Sequence, residues 1–270
     1  MTVDTFFELF LDELKESPEL HKYYKFLQDE KSFGFRKAYF IQRLQYISDN
    51  IKGEGPVIWD CGCGYGTTAL YLAMNGYRVK GSTLEFYYEQ IEKRKAWWSK
   101  HGDTSLFEVS YENMFDSHPE PETTDIIILQ DTLHHLEPIG EAINILNNVL
   151  KPGGYIILIE ENGNNIIQQT KLFIQRGNKR VIELYDEKLK KTFLLGNENI
   201  RGLKNWQKIL GQGGLQIDVN LTKYIRILPP FRFKGNVNEN ISREQRMINR
   251  NPLLKKRFAF GLNMIVKKPL

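Results

Sequence analysis

The fold of this chain is decided by the stretch Val57-Ile58-Trp59-Asp60-Cys61-Gly62-Cys63-Gly64-Tyr65-Gly66. It reads as a short apolar strand followed by a turn with three alternating glycines, and residues 67–73 continue with a helical pattern. Glycine adopts positive φ without strain and leaves no Cβ between the backbone and a ligand. The helix behind the turn would direct free N–H groups and a partial positive charge at that ligand. The stretch therefore predicts a ligand-binding strand–turn–helix.

The glycine spacing separates two ligand classes. Dinucleotide-binding turns carry G-x-G-x-x-G, whereas this turn reads Asp60-x-Gly62-x-Gly64-x-Gly66 and has Thr67 at the place of the third dinucleotide glycine. A carboxylate at Asp60 would repel a pyrophosphate but would suit a ligand that carries an ammonium group. The spacing therefore disfavours a nicotinamide-dependent oxidoreductase.

Two later segments extend the pattern: DIIILQDTLHHL at residues 125–136 and NNVLKPGGYIILIE at residues 147–160. In this order, the three segments resemble the class I S-adenosylmethionine-dependent methyltransferases. The glycine turn resembles motif I of that family, and the second segment resembles its fourth strand and the following loop. The third resembles its helix–turn–strand with the LKPGG sequence. A glycine turn kept only for tight strand–helix packing is the alternative for the first segment.

From residue 57 the chain alternates strand and helix patterns, which predicts a parallel sheet with right-handed crossovers. The resemblance implies an α/β, Rossmann-like, doubly wound and mostly parallel sheet of seven strands that ends in an antiparallel C-terminal hairpin. The expected strands are 57–60, 78–82, 106–110, 125–130, 155–160, 215–226 and 260–267.

The chain outside this pattern is assigned to additions around it. Residues 1–52 are expected to form an N-terminal helical cap, because apolar residues recur there at three and four positions. Pro18 and Phe33-Gly34 are expected to separate its helices. Residues 53–270 would then form the methyltransferase domain with inserted lid segments at 162–198 and 227–259. Within these, 166–198 has mixed helix and strand character and 241–256 looks helical, and a further helix is expected at 199–211.

Composition limits the protein class. With 270 residues, 41% of them hydrophobic, and a net charge of +4, the chain can bury a sizeable core and is no strong polycation. Its two cysteines, Cys61 and Cys63, are too close for an ordinary disulfide and are interpreted as small residues in a crowded turn, so no metal site is expected. No signal peptide and no apolar run of ~20 residues is evident. These features favour a cytoplasmic protein. They carry no signal of its oligomeric state.

The resemblance implies S-adenosyl-L-methionine as cofactor and S-adenosyl-L-homocysteine as product. The backbone at Cys61, Gly62 and Gly64 would approach the amino-acid end of the cofactor, and Asp60 would contact its ammonium group or anchor the turn. The alternative has Asp60 orienting the turn by accepting backbone N–H bonds.

The ribose region departs from the common pattern of the family. Gly81-Ser82-Thr83-Leu84-Glu85 stands where many relatives place an acidic residue at the end of the second strand. This segment resembles the cyclopropane-fatty-acid synthase-like branch, which implies ribose contacts from Thr83, the Leu84 backbone and Glu85. Alternatively, Thr83 is an N-cap and Glu85 a first-turn acid of the next helix.

Adenine contacts are expected after the third strand, from Tyr111, Glu112, Asn113 and Met114, with a solvated loop as the alternative. Gln130 ends the fourth strand and is expected to contact the cofactor.

Methyl transfer depends mainly on holding the acceptor about 3 Å from the methyl group, in line with the leaving sulfur. A base is needed only when the acceptor must lose a proton. His135, which follows the fourth strand, is the candidate catalytic base, with His134, Asp131, Glu160 and Glu161 expected nearby. The alternative for His135 is a hydrogen bond to backbone without a chemical role.

The acceptor is expected to be a small or lipid-like molecule methylated at oxygen, nitrogen or carbon, because the additions are rich in aromatic residues. The Asn/Asp-Pro-Pro-Tyr signature of exocyclic-amine methylation is missing, and no cysteine is free for cytosine-C5 chemistry. An RNA or tRNA methyltransferase is therefore disfavoured, although the C-terminal region is basic. A non-catalytic scaffold that binds the cofactor is the third alternative. The expected acceptor-lining residues are Tyr23, Tyr24, Phe173, Tyr185, Phe193, Tyr224, Phe231 and Phe233, and the basic residues are Lys223, Arg226, Arg232, Lys234, Arg243, Arg246, Arg250, Lys255, Lys256 and Arg257.

Overall fold

The computed structural model describes residues 1–84, 87–117 and 119–270. Its strands are β1 (Ile58–Cys61), β2 (Val79–Thr83), β3 (Phe107–Tyr111), β4 (Thr124–Gln130), β5 (Leu150–Glu161), β6 (Val181–Asp186), β7 (Lys191–Gly196), β8 (Gln216–Ile225) and β9 (Gly261–Lys267). Its helices are α1 (Val3–Glu16), α2 (Pro18–Tyr24), α3 (Glu30–Asn50), α4 (Thr67–Ala73), α5 (Tyr88–Trp98), α6 (Met114–Ser117), α7 (Ile139–Val149), α8 (Ile166–Arg176), α9 (Leu203–Gln212), α10 (Val237–Arg250) and α11 (Pro252–Arg257).

Seven strands form one sheet in the order β3-β2-β1-β4-β5-β9-β8. The five strands from β3 to β5 run parallel, and β9 runs antiparallel to both β5 and β8. The expected sheet and its antiparallel C-terminal hairpin are therefore confirmed. Because β1 lies between β2 and β4, the glycine turn after β1 opens at the middle of the sheet, where ligands bind in open α/β folds.

Apolar side chains alternate between the two faces of the sheet. In β4, Ile126 and Ile128 pack into one core cluster, whereas Ile127 and Leu129 pack into the other. This period of two is the geometry of an extended strand, and a strand that is apolar at every position must be covered on both faces. Helices on both sides of the sheet provide that cover.

The N-terminal helices share a core with the sheet. Phe6, Phe7 and Phe10 of α1 are fully buried in the same cluster as Ile58 of β1. The Phe6 ring stacks on Trp98 with ring centroids 4.5 Å apart, a typical distance for packed aromatic pairs. The helices expected in residues 1–52 are thus present, and they pack directly on the sheet domain.

The expected helix break at Phe33-Gly34 is wrong, because α3 runs without interruption through Gly34. The chain turns earlier, at Lys25, which has a left-handed backbone with φ of 55°. A Cβ on Gly34 would lie 3.2 Å from the carbonyl oxygen of Phe233. The glycine therefore allows the C-terminal segment to approach α3 closely.

The inserted segments contain helix α8 with the hairpin β6–β7, and the helices α10 and α11. The helix expected at 241–256 is divided at Asn251, whose side chain accepts hydrogen bonds from the N–H groups of Leu253 and Leu254. The helix expected at 199–211 begins only at Leu203. Among the helices of the described ranges, none is both long and apolar enough to cross a bilayer.

Candidate functional site

A cavity of about 840 Å³ lies at the carboxyl ends of the central strands, under helices α2 and α3. It is lined by His135 and by every expected cofactor residue that the structure describes except Tyr111. These are Asp60, Cys61, Gly62, Gly64, Thr83, Leu84, Glu112, Asn113, Met114 and Gln130. Glu85 lies outside the described residues. The residues selected from separate parts of the sequence thus surround one space.

The glycine turn is held on one side and open on the other. The N–H groups of Gly62 and Cys63 both donate to the carbonyl oxygen of Ser82, at 2.8 and 3.0 Å. Gly62 has φ of 79°, and a Cβ there would lie 2.4 Å from the Thr132 side chain. Gly64 also has positive φ, but no described atom lies within 4 Å of its Cβ position. Among the three glycines of the described turn, Gly64 is thus the one at which a side chain would project into open space.

Asp60 is a buried carboxyl group without a partner. It is 2% exposed, and Oδ2 has no hydrogen bond from any residue that the structure describes. Burial raises its pKa to about 7. No N–H of the described turn donates to Asp60, so the alternative role as a backbone anchor has no contact to support it. A buried carboxylate that lines a cavity fits the ammonium group of a ligand.

Contacts around the cavity correct two expectations from the sequence. The hydroxyl of Tyr111 lies 2.6 Å from Asp186 Oδ2 and 3.1 Å from the carbonyl oxygen of Leu84. The Tyr111 side chain therefore links the chain after β2 to the inserted hairpin β6–β7. It does not line the cavity. Thr83 is no N-cap, because α5 begins at Tyr88. The Gln130 amide donates to the Thr68 hydroxyl at the cavity wall.

The two histidines after β4 have opposite protonation tendencies. Burial opposes charge on His134, but the carboxylate of Glu160, 2.5 Å from its Nδ1, outweighs burial and raises the His134 pKa to about 9. His135 Nδ1 lies 2.7 Å from the carbonyl oxygen of Gly196. Because a carbonyl only accepts, Nδ1 carries the hydrogen and Nε2 of neutral His135 carries the lone pair. Burial and the charge on His134 lower the His135 pKa, so the ring is neutral near pH 7.

A group that could ligate a cation lies at the same place. His134, His135 and Glu198 each offer one ligand atom, and these atoms lie within 4.8 Å of one another. Glu160 and the Gly196 carbonyl already engage the Nδ1 atoms of the two rings. That the protein needs no metal stays a prediction.

Helices α2 and α3 cover part of the cavity, here called its covered half. Helix α2 contacts the glycine turn through Tyr24 and Thr67, and α3 contacts the loop after β4 through Arg43 and Asp131. Tyr23 and Tyr24 line it as expected, whereas Phe173, Tyr185 and Phe231 are exposed elsewhere. Individual lining residues on α3 and in the chain after β8 were not predicted from the sequence. The missed lining residues include Ser32, Phe35, Arg36, Tyr39, Phe40, Arg43, Arg226 and Pro230. The three- and four-residue spacing of those on α3 was a signal for one helix face.

A buried ion pair fastens the cap to the glycine turn. Arg94 donates to both carboxylate oxygens of Glu13, at 2.7 and 2.6 Å. Its Nη1 also donates to the Tyr65 carbonyl and the Thr67 hydroxyl, both at 2.7 Å. The Tyr24 hydroxyl lies 2.6 Å from the same Thr67 oxygen. Helices α1, α2 and α5 thus converge on the turn that follows β1.

Comparison with known proteins agrees with this geometry. Residues 59–158 match the family described as Methyltransferase domain. A ubiquinone biosynthesis O-methyltransferase of Alkalilimnicola ehrlichii is 28% identical over 123 residues, which is 45% of this chain and 49% of that protein. The chain therefore spans about half the length of this curated relative.

Two solved structures share the fold. A Methanosarcina mazei S-adenosylmethionine-dependent methyltransferase has a TM-score of 0.57 and 20% identity, covering 83% of this chain and 97% of that chain. Phosphoethanolamine N-methyltransferase 2 of Haemonchus contortus, solved with S-adenosyl-L-methionine, also has a TM-score of 0.57, with 14% identity, covering 85% of this chain and 52% of that chain. The likeness of segment 81–85 to the cyclopropane-fatty-acid synthase-like branch stays a prediction. The family match, the sheet order and the glycine turn taken together show that residues 59–158 form a methyltransferase domain, in a chain with the fold of S-adenosylmethionine-dependent methyltransferases.

Proposed function

We propose that this protein transfers a methyl group from S-adenosyl-L-methionine to an oxygen, nitrogen or carbon nucleophile of a small-molecule or lipid-like acceptor. The observation that carries the proposal is the unpartnered buried carboxyl of Asp60 in the cavity wall of a methyltransferase domain. When bound, the cofactor supplies a methyl group that its sulfonium already activates. The chain has to bind, orient and desolvate the reactants.

Different cavity residues would contact different parts of the cofactor. Asp60 would hold the ammonium group, and the open backbone at Gly64 would admit the amino-acid end. Thr83 and Leu84 would contact the ribose, and Gln130 would line the path to the methyl group. Glu112, Asn113 and Met114 would surround the adenine, because they follow the adjacent strand β3.

His135 would act as the base for an acceptor that must lose a proton. Its Nδ1–H donates a hydrogen bond to the Gly196 carbonyl oxygen, so Nε2 carries the lone pair that can accept a proton. The ring lines the cavity. A pKa below the ordinary value of 6.5 keeps the ring neutral, which is the form that takes up a proton.

The acceptor is best accounted for by a small molecule with an apolar body. Rings of α2 and α3 line the covered half of the cavity. The curated relative is named for ubiquinone biosynthesis, which supports an acceptor of this kind without identifying it.

Calorimetric titration with S-adenosyl-L-methionine and S-adenosyl-L-homocysteine tests the cofactor site. We expect saturable binding that is lost in Gly64→Arg, whose side chain would fill the open space of the turn. Gly76→Arg is the matched control, because Gly76 also has positive φ with no atom of the described residues within 4 Å of its Cβ position and does not line the cavity. A folded wild-type protein that binds neither ligand would refute the proposal.

Turnover is tested by S-adenosyl-L-homocysteine formation with a panel of phenols, amines, fatty acids and RNA, with and without EDTA. Product with a small acceptor in the presence of EDTA supports the proposal and the absence of a metal. Product with RNA alone would favour the nucleic-acid alternative. Cofactor binding without any product would favour a scaffold.

A further inference from the structure

Arg226 occupies an unusual position at the end of β8. Its backbone has φ of 65°, a conformation that few residues with a side chain adopt. Glu244 stabilises this turn by accepting the N–H groups of Arg226, Ile227 and Leu228 at 2.8–3.1 Å. The guanidinium lies over the rings of Tyr39 at 4.7 Å and Phe260 at 4.9 Å. The chain thus places this cation beneath α3, in the wall of the cavity.

Arg226 forms no ion pair within the described ranges. No carboxylate among these residues lies within 4.0 Å of its guanidinium, and its buried Nε has no hydrogen-bond partner. The two oxygens of Glu244 are occupied by the three backbone N–H groups. Glu161 also faces this charge, but one of its oxygens accepts a 2.6 Å hydrogen bond from Gln168. A half-buried guanidinium of this kind favours an anionic ligand.

A second cation lines the same space. Arg36 projects from α3 into the cavity wall, and its described hydrogen bond is to the Ser32 hydroxyl, at 3.1 Å. No described carboxylate lies within 4.0 Å of Arg36. Arg43 differs, because its Nη2 lies 2.7 Å from Asp131 Oδ2. The covered half of the cavity therefore carries two guanidinium groups in excess over its carboxylates.

The sheet order places Arg226 away from the expected cofactor contacts. Apart from Gln130 at the end of β4, those contacts lie at the ends of β1, β2 and β3 on one side of the sheet, whereas Arg226 follows β8, the strand at the opposite edge. The cavity between them passes His135 and Gln130 at the end of β4. Arg226 therefore lies on the acceptor side.

We infer that the acceptor carries an oxyanion, a carboxylate or a phosphate, that Arg226 and Arg36 bind while its apolar body packs among the rings of α3. This inference rests on the proposed function and specifies its substrate class. The planar guanidinium matches both oxyanions with paired N–H donors. Phe35, Tyr39 and Phe40 supply the apolar wall.

The test uses three probes with the same aromatic body: 1-naphthoate, 1-naphthyl phosphate and the neutral 1-naphthamide. Each is titrated against the full-length protein, with and without S-adenosyl-L-homocysteine, and followed by ligand-observed NMR. We expect at least one oxyanion to bind about 10-fold or more tightly than the amide. The tighter of the two oxyanions identifies which anion the site prefers.

Arg226→Gln should weaken oxyanion binding by about 10–100-fold and leave amide binding unchanged. Arg226→Lys keeps the charge but lacks the planar guanidinium. Its affinity for the oxyanions should lie between those of wild type and Arg226→Gln. Arg232→Gln is the matched control, because Arg232 is exposed and does not line the cavity. Circular dichroism and thermal unfolding verify that each variant is folded, and Arg36→Gln provides a second variant if Arg226→Gln is not.

Equal binding of the amide and the oxyanions, or oxyanion binding that survives Arg226→Gln and Arg36→Gln, would overturn the inference. These outcomes are independent of the cofactor titration. Failure of S-adenosyl-L-homocysteine to bind would refute the proposed function, whereas oxyanion binding without that ligand would still show the anion site.

Discussion

Asp60 makes the free protein sensitive to pH. Its pKa of about 7 in the folded chain, against an ordinary value of 3.8, means that folding takes up a proton between these two values. The stability of the free protein should therefore fall as pH rises from about 4 to 7. A pKa difference of about three corresponds to about 4 kcal/mol.

Asp60→Asn removes this proton linkage. The variant should be more stable than wild type at pH 8 by up to about 4 kcal/mol, and the difference should shrink towards pH 4. It should also lose cofactor binding, because an amide offers no charge to an ammonium group. Urea unfolding of both proteins at pH 4.5, 6 and 8 measures the effect. A difference that does not change with pH would contradict it.

The histidine pair should show two different protonation states at pH 7.5. We expect His134 to carry both ring hydrogens until pH approaches 9, since Glu160 stabilises its charge. His135 should be neutral with hydrogen on Nδ1, and it should gain its second proton only below pH 6.5. Long-range ¹H–¹⁵N NMR reports both states, with His134→Gln and His135→Gln for assignment. A His135 ring with hydrogen on Nε2 would exclude its role as a base.

Individual residues differed in how well the sequence predicted them. Asp60, Gly62 and Gly64, which line the cavity, could be selected from the sequence because they adjoin in a motif whose spacing has a physical reason. Arg226 was seen only as one of many basic residues, since its importance comes from long-range packing against α3. The unpaired state of a charge depends on which carboxylates the fold brings near it, and no local pattern contains that information.

At the scale of elements, the Glu13–Arg94 pair joins α1 and α5 to the cofactor turn. Glu13→Gln leaves the buried guanidinium without its counter-charge, which costs about 3–5 kcal/mol. The variant should unfold at lower urea concentration and bind S-adenosyl-L-homocysteine more weakly, because Arg94 also holds the Tyr65 carbonyl.

Asp12→Asn is the control for this change. Asp12 lies on the same helix but pairs with Lys15 at the surface, and such pairs contribute about 0–1 kcal/mol. Urea unfolding and calorimetry of both variants separate the buried pair from the exposed one. Similar losses of stability and of ligand binding in the two variants would show that the buried pair contributes no more than the exposed one.

The elements themselves were mostly predictable, and their ends were less so. The sequence predicted every strand of the seven-stranded sheet, because apolar or alternating runs beside turn signals mark most of them. The predicted helix break at Gly34 was wrong because a glycine inside a helix costs only about 1 kcal/mol. The close contact of α3 with the Phe233 carbonyl favours a glycine at this position. Asn251 shows the reverse case, in which a capping side chain divided an expected helix.

At the scale of the whole molecule, the cap and the sheet should unfold together. The rings of α1 are buried in the same cluster as β1, α4 and α5, so neither part retains its core alone. In a variant with Phe in place of Trp59, Trp97 and Trp206, the fluorescence of Trp98 reports the contact with α1, and circular dichroism reports the whole chain. We expect both signals to change at the same urea concentration. A separate early fluorescence transition would show that residues 1–52 unfold independently.

The position of β9 has a consequence for biosynthesis. This strand is the last in chain order, yet it lies between β5 and β8. While the ribosome is still making the region after β8, β5 therefore remains an edge strand. Its apolar residues Ile156 to Ile159 are then not yet paired with β9. A nascent chain in this state presents an unpaired edge to other chains. Chaperone demand during translation should accordingly persist until the final strand has left the exit tunnel.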